Sequence, residues 1–130
     1  MFDMTVTTTI GFVLAGVLAA AILLIGARFL IAPRVAAAGY GVVPDLDQPN
    51  AGAYLSVKGV RDITTGLIVI VLMIAQATHL LGWVILAATI IPIADATIVL
   101  RHGGARATAF GVHGGTAAVM LVTSALLLIP

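Results

Sequence analysis

Four apolar runs, each about as long as a bilayer-crossing helix, take up most of this chain, and only short polar connections separate them. A transmembrane helix needs about 20 predominantly apolar residues. The runs extend over Thr8–Ala32, Ala53–Ala77, Leu81–Leu100 and Thr108–Ile129. Charged residues make up 8% of the chain and hydrophobic ones 62%, where a soluble domain carries roughly 25% charged residues. The pattern predicts an all-α membrane protein. Residues 1–130 form one domain, a four-transmembrane-helix bundle in antiparallel up-down-up-down order.

The first run is read as a retained helix and not a cleaved signal. Met1–Thr5 holds no Lys or Arg, and the run outlasts the apolar core of a signal peptide. Pro33 ends it, because proline lacks the amide donor a helix needs. The longest connection, residues 33–53, is rich in breakers, including Gly39, Gly41, Pro44, Pro49 and Gly52. Pro92 lies inside the third run and predicts a kink there. Trp83 falls where an interfacial aromatic is expected.

Orientation follows from the cations. Arg28, Arg34, Lys58, Arg61, Arg101 and Arg106 are every Lys and Arg in the chain. All of them lie in or beside the connections after the first and third runs. The positive-inside rule places those connections in the cytoplasm. Both termini are then extracytoplasmic (N-out/C-out), in a multi-pass protein of the inner or plasma membrane.

Several function classes drop out. The chain has no cysteine, so it offers no disulfide or thiolate chemistry. It has no basic tail or basic–aromatic patch, so no nucleic-acid partner is expected. His79 falls at the opposite end from His113, so neither a metal nor a haem is expected as a cofactor.

The candidate site lies in the charges that the apolar runs retain. A charged side chain at the bilayer centre costs about 2.5–3.5 kcal/mol on insertion scales. Each run nevertheless brings a polar group to a similar depth near the cytoplasmic side. The first carries Arg28; the second Tyr54, Lys58, Arg61 and Asp62; the third Asp95; the fourth His113. Lys58 and Asp62 are four residues apart and share one helix face. Arg61 lies beside that face. Arg28, Lys58 and Arg61 outnumber Asp62 and Asp95, and helix starts on the same side add positive dipole ends. The surplus suits an anionic or polar ligand. Asp95 and His113 are the candidate acid and base, since histidine titrates near neutrality. Cations near helix ends also serve as orientation anchors that reach for headgroups.

Small residues recur at spacings of four: Gly11, Ala15 and Ala19 on the first run, Gly111 and Gly115 on the fourth. Such faces allow close helix approach and, in some proteins, a homo-oligomer.

Together these residues resemble a family of small four-span integral membrane proteins, domain-of-unknown-function family 4267. The resemblance rests on Gly26-Ala27-Arg28-Phe29 with Pro33, Ala38-Gly39-Tyr40-Gly41, Lys58-Gly59-Val60-Arg61-Asp62 with Gly66, Pro92 with Asp95, and His113-Gly114. The span pattern is more distantly similar to DoxX-like membrane proteins. The resemblance implies fold and site position, not function, since no activity is assigned to the family.

The expected function is binding of a polar or anionic small molecule, or a lipid headgroup, in a charged intramembrane pocket near the cytoplasmic side. The first alternative is an intramembrane enzyme, an isomerase, cyclase or oxidoreductase acting on a lipophilic substrate. A structural subunit and an ion-coupled transporter are further alternatives. The lipid bilayer is the expected partner in every case.

Overall fold

A computed structural model describes residues 5–129; the Lys- and Arg-free start at residues 1–4 lies outside them. Helices dominate, and no strand occurs among the described residues. The first helix, α1, spans Val6–Ile31. The Thr5 side chain caps it by accepting from the Thr8 amide at 3.3 Å, which satisfies one of the orphan donors at a helix start. Proline then separates two helices. Pro33 opens α2, Pro33–Tyr40, at the position where its missing donor is harmless. Gly41 closes α2 in the left-handed conformation, with φ 106°.

The chain turns at Asp45, whose carboxylate accepts from the Asp47 amide at 3.0 Å. Asn50, also at positive φ, leads into α3, Ala51–Ile74. A tight turn through Gln76 leads to α4, Thr78–Ala88, which continues almost collinearly in sequence as α5, Ile90–Arg101. The interruption at Thr89 is the local consequence of Pro92, which cannot donate to the carbonyl one turn back. The Thr89 hydroxyl turns back to the Ile85 carbonyl at 2.9 Å. After a short connection the backbone enters a π-helical segment, Thr108–Gly114, and then α6, Gly115–Leu128.

Three helical stretches are long and apolar enough to cross a membrane: Val6–Ile31, Thr78–Arg101 and Thr108–Leu128. They mark the chain as a helical membrane protein. The 24-residue α3 is as long, but Lys58, Arg61 and Asp62 interrupt its apolar character. Many large apolar side chains on these helices face outward, with Ile31 at 83% and Val71 at 62% exposure. In a bilayer those side chains meet acyl chains rather than water.

The packing divides the molecule into two ends. At one end, Ala15, Ala19, Val69, Leu81, Ile85 and Leu127 form a closed apolar core. The row Gly11–Ala15–Ala19 is spent inside the chain, because a Cβ on Gly11 would meet Leu127 at 2.8 Å. That row is therefore not an outer face for a second copy. Gly111 and Gly115 have open space beside them. At the other end, α1 and α3 cross at Gly26 and Gly59. A Cβ on either glycine would approach the other's carbonyl oxygen to 2.7–2.8 Å. Phe29, Ala36 and Ala37 form a second small core there, with Tyr40 and Leu55 against it. α5 packs on the π-helical segment and makes little contact with α3. A space opens between the two pairs.

Candidate functional site

That space is a cavity of about 570 Å³, within the usual size range of small-molecule sites. On α1 its wall runs from Leu18 to Arg28, about 15 Å at a helical rise of 1.5 Å per residue. Most of the wall is apolar, with Ile22, Val69, Ile85 and Met120 among its residues. Its ionisable groups collect at one end: Arg28, Tyr40, Lys58, Asp95 and His113. The lining residues Ile25, Ile68, Ile91 and Val112 remain 44–50% exposed. The cavity therefore communicates with whatever surrounds the helices.

Tyr40 organises the polar end. Its hydroxyl donates to Asp95 Oδ1 at 3.0 Å. Its backbone carbonyl accepts from His113 Nε2 at 2.8 Å. The tyrosine and histidine rings meet edge-on, with centroids 4.9 Å apart. A carbonyl can only accept, so Nε2 carries a proton and Nδ1 is the nitrogen turned to Asp95. Nδ1 stands 3.9 Å from Asp95 Oδ2, beyond hydrogen-bond length. Burial first, and then the facing Asp95 carboxylate, push the Tyr40 phenol above its ordinary range.

Lys58 is paired. Its ammonium donates to Asp62 Oδ2 at 2.9 Å. It also lies over the Phe29 ring at 4.9 Å and the Tyr40 ring at 5.2 Å, which places it between two negative π-faces. The pair belongs together because i and i+4 side chains stack along a helix. Asp62 is buried, and without Lys58 its charge would be uncompensated.

Two glycines bring these elements into contact. A Cβ on Gly104 would lie 2.6 Å from the Gly41 carbonyl oxygen, and one on Gly41 would lie 2.9 Å from Thr108. The end of α2 thus packs directly on the connection between α5 and the π-helical segment. Tyr40, adjacent to Gly41, is thereby delivered to Asp95 and His113. The π-helical segment sets the rotation of His113, since its wider turn shifts side-chain phase relative to an α-helix.

The structure gathers Arg28, Lys58, Asp95 and His113 around one cavity and places Asp62 behind Lys58 as its partner. Two expected site residues go elsewhere. Arg61 is exposed and does not line the cavity. Neighbouring residues on a helix point about 100° apart, so a helix that buries Asp62 turns Arg61 away. Tyr54 is 77% exposed. It borders a second, shallower cavity of about 620 Å³ with Pro44, Asp45 and Gln48. Removing Arg61 removes the surplus positive charge. Arg28 and Lys58 are balanced by Asp62 and Asp95.

Tyr40 and Phe29 are the residues that charge-based reading passed over as site members. Their signals are the Ala38-Gly39-Tyr40-Gly41 element, in which a tyrosine sits against a turn glycine, and the Gly26-Ala27-Arg28-Phe29 element. His79 lies away from the site, accepting at Nε2 from the Trp83 indole at 3.2 Å. No cluster of three or more His, Cys, Asp or Glu side chains that could hold a metal ion occurs among the described residues.

The family model for "Domain of unknown function (DUF4267)" matches residues 19–127, so the chain belongs to that family. No curated protein and no solved structure matches it.

Proposed function

We propose that this DUF4267 protein binds an amphiphile, with the polar head at Asp95, His113 and Tyr40 and the apolar tail along the cavity wall. The carrying observation is the cavity itself, apolar for about 10 Å along its α1 wall from Leu18 to Ile25 and bordered at one end by Arg28, Lys58 and Asp95. With its polar end included the α1 wall is about 15 Å deep, half of a roughly 30 Å hydrocarbon core, so a single acyl or isoprenoid chain would lie in register with one leaflet. The half-exposed apolar residues at its sides give such a ligand an entry from lipid.

The reading assumes that α3 is a fourth span. Its length supports this, as does its antiparallel packing along α1, where Gly26 meets Gly59 and Gly16 meets Met73. The polar end then lies on the side of every Lys and Arg, with both termini outside a cytoplasmic or inner membrane.

The test is native mass spectrometry of the protein released from lipid nanodiscs. A bound amphiphile is expected on the natural protein. Ala88→Phe, which fills the cavity from its wall, is expected to lose at least nine-tenths of that adduct while remaining folded. An adduct unchanged by Ala88→Phe would place the ligand elsewhere.

One observation favours a catalytic version of the same site. The free edges of Asp95 and His113 face one another at the cavity, the arrangement general acid–base chemistry needs. An isomerase, cyclase or oxidoreductase acting on the bound amphiphile is the reading it supports, with Asp95 and His113 as the proton-transfer pair.

A further inference from the structure

We infer that the head group this cavity selects is a neutral hydroxyl, as in a long-chain or isoprenoid alcohol or a phenol, and not an anion or an ammonium. The inference rests on the amphiphile reading and specifies the chemistry of its polar end.

Charge balance comes first. The ionic groups at that end are Arg28 on α1, Lys58 and Asp62 on α3, and Asp95 on α5, with Tyr40 and His113 completing the polar set. Two cations match two carboxylates in number, Lys58 and Asp62 as an ion pair, and Arg61 lies outside. A neutral head keeps the apolar cavity uncharged. A carboxylate or an ammonium would leave a net charge there, which low-dielectric surroundings penalise.

Donor and acceptor accounting points the same way. Of the two cations on the cavity wall, Lys58 already holds Asp62 and is covered by two aromatic rings, while Arg28, at the end of the α1 wall, is exposed. Tyr40 spends its hydroxyl on Asp95 Oδ1. His113 spends Nε2–H on the Tyr40 carbonyl. Asp95 Oδ2 and His113 Nδ1 remain, 3.9 Å apart. No buried side-chain polar atom lacks a partner among the described residues, so this free edge is open to the cavity. An oxygen beside the gap can reach both atoms at hydrogen-bond distance. With Nε2–H given to the Tyr40 carbonyl, neutral His113 presents the Nδ1 lone pair, and a hydroxyl there donates to Asp95 Oδ2 or to Nδ1. A carboxylate has no proton to give and meets the Asp95 charge. A ketone or ether can accept but not donate.

The experiment compares one chain with three heads: n-dodecanol, n-dodecanoate and n-dodecylamine, added to the protein in lipid nanodiscs at mildly alkaline pH. Binding is read as adduct mass and as thermal stabilisation. Dodecanol is expected to bind roughly tenfold or more tightly than either ion. Asp95→Asn, which turns the free acceptor into a donor, is expected to abolish that preference. Dodecanoate or dodecylamine binding as tightly as dodecanol would overturn the hydroxyl assignment and leave the amphiphile reading standing. Failure of all three to bind would overturn both. The comparison of heads on the natural protein decides the matter even if Asp95→Asn does not fold.

Discussion

Tyr40 carries more of this site than any charged residue does. One side chain and its own carbonyl hold Asp95 and His113, and its ring covers Lys58. Tyr40→Phe keeps the ring and removes only the hydroxyl. Loss of a hydrogen bond to a charged acceptor is expected to lower stability by about 1.5–3 kcal/mol, read from thermal unfolding in detergent. The phenol also has a pH signature. Its folded-state value is raised, so folding favours the protonated form. The contribution is complete below the ordinary tyrosine value of about 10 and is lost as pH rises above it. A tyrosinate difference titration between the natural protein and Tyr40→Phe should have its midpoint above that value. A midpoint at or below it would mean that Tyr40 is neither buried nor paired with Asp95.

At the scale of elements, glycine contacts set where helices meet, and not every glycine is equivalent. Gly26 and Gly59 allow α1 and α3 to touch backbone to backbone, one residue from Lys58. Gly59→Ala forces them apart and is expected to destabilise by about 1–3 kcal/mol, the usual range for overpacking. Gly111→Ala and Gly115→Ala meet nothing within 4 Å and should stay within about 0.5 kcal/mol of the natural protein. Equal effects at Gly59 and Gly111 would contradict this packing. The spacing of small residues announces both kinds of face. It cannot say which is occupied, because that depends on helices distant in the chain.

At the scale of the molecule, the four long helical segments close on a tight apolar core at one end and separate around a cavity at the other. The sidedness proposed for that arrangement is directly testable, because the chain contains no cysteine and single cysteines report without background. Asp47→Cys and Ala105→Cys should react with an impermeant thiol reagent only from the cytoplasmic side. Ala75→Cys should react only from the opposite side. Labelling of Ala75→Cys and Asp47→Cys from the same side would mean that α3 does not cross the bilayer.

Hydropathy made the helical, membrane-embedded class legible, since long apolar stretches have no other stable home. The expense of ionisable groups in such stretches also singled out Lys58, Asp62, Asp95 and His113, and residue counting put them at one depth. Rotation and long-range contact were not legible. Counting put Lys58 and Asp62 on one helix face with Arg61 beside it, but it did not fix whether Asp62 or Arg61 turns inward. Packing against α1 buried one and exposed the other. The place of Tyr40 depends on Gly41 meeting Gly104, more than sixty positions away. The facing of His113 depends on a π-helical turn that no simple periodicity announces. Depth is a local property, a count along one helix. Which groups touch is a property of how helices pack, and that is where the neutral, hydroxyl-ready end of this cavity arises.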